Sequence, residues 1–250
     1  MLFPLLGKEN IPSPTVTDDD TRLINIALYG NGPEDEIVGI AGTDTVQRGS
    51  IQRLRPGKWL NDEAIHYFLT MLARREILLS KERPGRKRCH FFKSYFITKL
   101  LGEGGYCYAS VKRWSRNVHG RNIFLLDKII CPINCGGVHW ACAVIFIQKK
   151  RIQFYDSLLG SGMVYMESLM DYLKDEHMDK LKTTMDTSNW KLVDCQPNTP
   201  QQENGFDCGV FTCMFADYLS RDAPLTFGQH TVTECRERMV LSIVKGCALK

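Results

Sequence analysis

The spacing of apolar residues changes character partway along the chain. In "WLNDEAIHYFLTMLARREILL", Ile65, Phe68, Leu69 and Leu72 recur at three- and four-residue steps. That period predicts a helix, with Asn61 or Asp62 as its cap. "TRLINIALYG" reads as a short helix ended by the "GNGP" turn. "CHFFKSYFITKLL" reads as a buried helix broken by "EGGYCY", and "ASVKRWSRNV" as a further short helix. Beyond these, "KIICPIN" and "WACAVIFI" are β-branched apolar runs. "RIQFYDS" follows after "QKK", so 141–147 and 151–156 predict a hairpin. "MESLMDYLKDEHMDKL" predicts an amphipathic helix with Leu169, Tyr172, Leu173 and Met178 facing inward. "WKLVDC" reads as a strand. "CGVFTCMFADYLS" predicts a helix burying Val210, Phe211, Met214, Phe215, Tyr218 and Leu219, and "TVTECRERMVLSIVKG" the last helix. Helices come first and strands mixed with helices follow, which favours an α+β fold over a doubly wound sheet. Residues 1–20, with Pro4, Pro12, Pro14 and three consecutive aspartates, read as a flexible N-terminal extension. Residues 21–250 read as a single domain.

Composition adds constraints. The 250 residues are 44% hydrophobic, enough for a substantial core. Net charge is 32 − 28 = +4, too weak to argue for nucleic acid and equally suited to an acidic protein partner. No apolar run approaches the roughly 18 residues of a membrane span. "MLFPLLGKEN" lacks the basic start and apolar core of a signal peptide. The expectation is a reducing compartment, cytosol or nucleus, in which the ten cysteines are mostly free thiols. "RPGRKR" reads as a solvated loop.

Chemistry concentrates at "QQENGFDCGVF". Cys208 has three readings there: a buried structural thiol, a zinc ligand, or a nucleophile at a helix start. A nucleophile needs conditions that favour the thiolate, a base, a group to orient the base, and donors for the oxyanion. A helix N-terminus favours the thiolate. Gly209 either lets the backbone approach a partner or leaves the oxyanion site open. Gln202 can supply an N–H donor, folded back by the Asn204-Gly205 turn. Among six histidines, His139 begins an apolar strand and Asp156 ends the strand returning from it. A hairpin brings these two ends together. Taken alone, a histidine at a strand end is more often structural. Cys131, Cys135 and His139 have a C-x3-C-x3-H spacing that suggests zinc, with Cys195, Cys208 or Cys213 as a fourth ligand, but motif matches of this kind are often false. Cys142 and Cys213 read as core thiols. Trp114 and Trp190 start from a packing role. Asp207 would oppose a thiolate beside it, so its carboxylate is expected to turn away and pair elsewhere, with backbone N–H groups among the candidates.

Three blocks occur in one order: "WLND" at 59–62, "HW" at 139–140 with "YDS" at 155–157, and "PQQENGFDCG" at 200–209. Together with "FITKL", "VKRW" and "MDYLK", they resemble the Ulp/sentrin-specific cysteine proteases, which process the modifier SUMO and remove it from proteins. The resemblance spans nearly the whole chain from about residue 21. It implies a papain-like α+β cysteine protease fold, a central mixed sheet flanked by helices, with a triad in the order His, Asp, Cys. By motif, His139 becomes the general base, Asp156 its orienter, Cys208 the nucleophile and Gln202 the oxyanion donor. Trp59 and Trp140 would close over the modifier's C-terminal Gly-Gly, and Asp62, Arg113 and Trp114 would face the modifier. The resemblance further implies a monomer acting on SUMO or a related ubiquitin-like modifier, with no metal or cofactor, in the nucleus (including the nuclear envelope) or the cytoplasm. Two alternatives stay open: the same chemistry on another modifier, and a pseudoprotease that only binds one.

Overall fold

The computed structural model describes residues 16–82, 85 and 88–249. Most of the expected extension and most of "RPGRKR" lie outside the described residues. Helix α1 (Asp18–Tyr29) starts earlier than the pattern suggests. The Thr17 hydroxyl accepts from the Asp20 N–H (3.1 Å), and the Asp20 carboxylate accepts from the Thr17 N–H (3.2 Å). This capping box, with three acidic residues in the first turn, draws Asp18–Asp20 into the helix and out of the extension.

A hairpin that the periodicity does not announce follows, β1 (Ile37–Ala41) with β2 (Asp44–Gln47), then the short α2 (Arg48–Gln52). Helix α3 (Asp62–Glu82) is capped by Asn61, whose side-chain oxygen accepts from the Ala64 N–H at 3.0 Å. The run "CHFFKSYFITKLL" is not one helix. It splits into an edge strand, β3 (Cys89–Phe91), and a single helical turn or so, α4 (Phe96–Leu100). A short aromatic run carries no period of its own, and here pairing with a neighbouring strand wins. A minimal ladder of β4 (Leu101–Gly102) and β5 (Gly105–Tyr106) comes next. "ASVKRWSRNV" forms 3-10 turns at Tyr108–Ser110 and Trp114–Asn117 instead of the expected helix.

The remaining elements are β6 (Lys128–Cys135), β7 (His139–Phe146), β8 (Arg151–Tyr155), α5 (Met163–Leu181), β9 (Lys191–Val193), α6 (Cys208–Ser220) and α7 (Val232–Val244). Five strands make one mixed sheet in the order β3-β6-β7-β8-β9. The central β6-β7-β8 meander is antiparallel, and β3 and β9 join it in parallel at the edges. Both faces are covered. Trp140, Cys142, Val144 and Phe146 of β7 enter a core with α3, α6 and α7, while Ala141, Ala143 and Ile145 enter a second core with α4 and α5. The two-residue period of the strand therefore reads as a continuous apolar run, because both of its faces are buried. This is the expected α+β architecture, a mixed sheet between helices.

In α5, Leu169, Tyr172 and Leu173 are buried as expected, but Met178 is 46% exposed. It lies about half a turn around the helix from Leu169, off the buried stripe. Helix α6 is buried along nearly its whole length, with only Tyr218 and Leu219 partly open.

Candidate active site

The β7–β8 register pairs Cys142 with Tyr155. Extrapolated by one step, it sets Asp156 opposite Ala141, so His139 is its diagonal neighbour on the same face. The side chains meet: His139 Nε2 is 2.6 Å from Asp156 Oδ1. The Asp156 carboxylate also accepts from the backbone N–H groups of Leu158 (2.8 Å) and Gly160 (3.1 Å). Burial alone would raise this carboxyl; the bonds to His139 and these two N–H groups outweigh it and hold the group below its ordinary value. Asp156 is thus an ionised, fixed acceptor.

Cys208 is the first residue of α6, 4% exposed. Bonding to Asp156, and next to Cys208, raises the His139 imidazole from 6.5 to about 9 against the opposing effect of burial. Nε2 is committed to Asp156, which leaves Nδ1 for the thiol. The ring stands between carboxylate and sulfur, and its protonated form is favoured, as suits the partner of a thiolate.

Gly209 supports the first of its two readings. A Cβ there would lie 3.0 Å from the Leu60 Cβ and 3.3 Å from the Ile65 Cδ1. The start of α6 packs directly on the segment that joins Trp59 to α3, and a side chain would separate them.

Gln202 is anchored beside the same strand end. Its backbone N–H donates to the Ser157 carbonyl (3.0 Å) and its Oε1 accepts from the Ser157 hydroxyl (2.7 Å). Its Nε2 donates to the Asn204 carbonyl, and a primary amide keeps a second N–H for another acceptor. The turn between Gln202 and Cys208 is organised by Asn204, whose side-chain oxygen accepts from the N–H groups of Phe206 (3.0 Å) and Asp207 (3.1 Å). Gly205 is not in the left-handed region, so the Asn side chain, not glycine's freedom, makes the bend.

Asp207 turns away from Cys208, as expected, but its partners are side chains and not backbone N–H groups. It accepts from Arg236 (2.5 Å), Asn204 (2.7 Å) and Gln229 (3.0 Å). Against burial, these bonds keep its carboxyl below the ordinary value.

Trp59 lies just before α3 and is 47% exposed; Trp140, on β7 next to His139, is 6% exposed. Asp62 is exposed at the first turn of α3. Arg113 is exposed and Trp114 half-buried, the indole meeting Tyr95 (5.1 Å between ring centres) and Phe96 (5.2 Å) edge-on. Arg113 and Trp114 line a cleft of about 520 Å³ together with His90, Lys93 and Tyr95. Trp114 therefore packs and lines a cleft at once. Trp190 packs against the second core.

Cys131, Cys142 and Cys213 are fully buried, and burial pushes all three thiols up. Cys131 and Cys142 lie in opposite cores. Among the described residues no group of three or more His, Cys, Asp or Glu is arranged to hold a metal. No described helix is long and apolar enough to cross a membrane.

Sequence reasoning overlooked Arg236. It shares the buried α7 stripe with Val232, Met239, Val240 and Ile243. An arginine at a core position, together with an aspartate that needed a partner, was the available signal.

The fold and this Cys-His-carboxylate cluster define a class that the comparisons specify. The model of the "Ulp1 protease family, C-terminal catalytic domain" matches residues 58–248, and the chain belongs to that family. Human sentrin-specific protease 2 is 38% identical over 230 residues, covering 92% of this chain and 37% of that protein. The chain thus spans little more than a third of that relative's length. Among solved structures, the Ulp1 protease domain in complex with Smt3, the yeast ortholog of SUMO, aligns with TM-score 0.74 and 30% identity, covering 93% of this chain and 96% of that one. A second, Ulp1 with its catalytic cysteine oxidised to a sulfinic acid, has TM-score 0.73 and 30% identity, covering 95% and 98%.

Proposed function

We propose that this protein is a thiol isopeptidase and endopeptidase that cleaves after the C-terminal Gly-Gly of SUMO, in maturation of the precursor, in release from target lysines, or in both. The observation that carries the reading is the position of His139 between Cys208 and the 2.6 Å Asp156 contact. The Smt3-bound Ulp1 neighbour supports the choice of modifier. Cys208 is the nucleophile. Its thiolate attacks the carbonyl carbon of the final glycine, and the carbonyl electron pair moves to oxygen. The Gln202 side-chain N–H and the Cys208 backbone N–H at the start of α6 stabilise that oxyanion. His139 then gives its proton to the departing lysine amine or peptide nitrogen as the C–N bond breaks. The neutral imidazole takes a proton from water, which attacks the thioester and returns the thiol. Asp156 holds the imidazole in place throughout.

Trp59 and Trp140 border the entry, where two indole faces admit a chain without side chains and reject larger residues sterically. Asp62, Arg113 and Trp114 contact the body of the modifier, the exposed Arg and the half-buried Trp being favoured anchors. On the family resemblance we also propose a nuclear or cytoplasmic location for this activity.

The test is cleavage of a SUMO fusion. Cys208→Ala is expected to abolish turnover while leaving the circular dichroism spectrum intact; retained turnover would sink the nucleophile assignment. A panel of ubiquitin-like modifiers with electrophilic C-termini decides the substrate. Labelling of Cys208 by SUMO alone supports the reading, labelling only by another modifier moves the same chemistry to that partner, and labelling by none refutes it.

A further inference from the structure

Arg236 is 2% exposed, and its guanidinium makes five hydrogen bonds with its five N–H groups. Nε and Nη2 donate to Asp207 Oδ1 at 3.2 and 2.5 Å. Nη1 donates to the carbonyls of Arg53 and Arg55, each at 3.1 Å. Nη2 also donates to the carbonyl of Lys58 at 2.9 Å. The Lys58 carbonyl belongs to the peptide unit that ends at Trp59, and Asp207 immediately precedes Cys208. One side chain on α7 therefore lies one residue from the nucleophile and one residue from the exposed indole, and binds both segments. Only a guanidinium has the fork for this; a lysine ammonium has three donors on a single point.

The charges around Cys208 give this link a second consequence. His139 faces the thiol from β7, with Asp156 behind it. Cys135 of β6 interacts with it electrostatically, and Asp207 adjoins it in sequence. Of these, Asp207 is the fixed anion nearest along the chain, and a bare carboxylate there opposes formation of a second anion. Arg236 is the cation in contact with it, at 2.5 Å and almost fully shielded from water.

We propose that Arg236 is a positioning residue with two separable actions. It ties the loop carrying Trp59 to the start of α6, so that the entry and the nucleophile keep a common frame, and it neutralises Asp207 so that Cys208 can ionise beside it. This rests on the reading of Cys208 as nucleophile, but its test needs no modifier.

The first readout is the pH dependence of Cys208 alkylation by iodoacetamide, resolved by peptide mass spectrometry. In Arg236→Met the midpoint is expected to rise, because Asp207 is then left as an anion without its cation next to Cys208 in the chain. In Asp207→Asn it is expected to fall, and in the double variant Asp207→Asn/Arg236→Met to return near the wild-type midpoint. The second readout is hydrogen exchange of residues 53–59. Exchange is expected to speed up in Arg236→Met, in the double variant and in Arg236→Lys, while Asp207→Asn leaves it slow.

If Arg236→Met does not fold, Arg236→Lys and Asp207→Asn carry the test: the lysine variant should lose loop protection with a smaller midpoint shift, and the asparagine variant should do the reverse. An unshifted midpoint in Arg236→Met, or shifts of the same sign in Arg236→Met and Asp207→Asn, overturns the electrostatic action. Unchanged exchange in both Arg236 variants overturns the anchoring. Failure of wild-type protein to cleave SUMO would refute the substrate assignment and leave both results standing.

Discussion

Helix α6 carries a buried aspartate–arginine pair at each end, and the two pairs differ in what else they hold. At the C-terminal end, Asp217 accepts from Arg75 of α3 at 2.5 Å and from Arg221 of its own helix at 3.1 and 3.2 Å, with Arg238 of α7 at 3.4 Å. Arg75 also reaches the Leu249 carbonyl and the Ser220 hydroxyl, both at 3.0 Å. Burial opposes this carboxylate, and the three arginines hold it below its ordinary value. None of these partners adjoins Trp59, His139, Asp156 or Cys208 in the chain. At the N-terminal end, Arg236 joins Asp207 to the carbonyls of the segment 53–58 that leads to Trp59. The same chemistry anchors the helix at one end and ties it to the segment before Trp59 at the other. A buried ion pair alone says little about function; the third group it binds decides.

That contrast can be broken in descending order of effect. The largest change should come from the N-terminal site itself. Asp156→Asn is expected to lower turnover by about 10²- to 10⁴-fold, the range for losing an oriented acid–base group. It should also alter the pH profile. In the proposed mechanism His139 carries the proton for the leaving group, so wild-type activity is expected to fall as pH rises through about 9. Removing Asp156 takes away the largest cause of that raised value, and the alkaline limb should move down toward 6.5. An unmoved limb in the kcat/KM profile would contradict the role given to Asp156.

The next effect belongs to the other end. Arg75→Met leaves Asp217 short of its closest buried cation and is expected to cost about 3–5 kcal/mol in urea unfolding. The alkylation midpoint of Cys208 should stay where it is. A shifted midpoint would mean that the two ends of α6 are not separable.

The smallest is Gly209→Ala, which forces α6 away from Leu60 by a few tenths of an ångström. Strain of this kind costs about 1–3 kcal/mol. Because the strain sits between Cys208 and the Trp59 segment, kcat/KM for the SUMO fusion should drop further than the stability loss explains at temperatures where the protein remains folded. A proportionate loss would place Gly209 in packing alone.

Much of this was legible in the chain because it is local. The β7–β8 hairpin follows from two β-branched runs and a short polar break, and once its register is set, His139 and Asp156 become neighbours without help from elsewhere. Gln202, Asn204 and Cys208 lie within one turn. Where the reading failed, competition between elements decided. The Cys89–Phe91 segment has the composition of a buried helix but found an open strand edge on β6. Met178 has the right residue type and the wrong phase. Thr17 lengthened a helix through a cap that apolar spacing does not register. Arg236 lies on a helix whose period is plain in the chain, but its partners stand 29 residues back at Asp207 and more than 170 back at 53–58, distances over which no periodic pattern operates.

The sequence by itself determined the chemistry offered at this site: a cysteine at a helix start, a histidine and a carboxylate on one hairpin, and an amide one turn away, since each of these depends on residue type and short-range geometry. Only the tertiary structure decided how that chemistry is held. The guanidinium that joins Asp207 to the segment before Trp59, and the glycine that lets α6 meet Leu60, act between segments that packing alone brings together, and their effects come from burial, where an unpaired charge or a misplaced methyl group is costly.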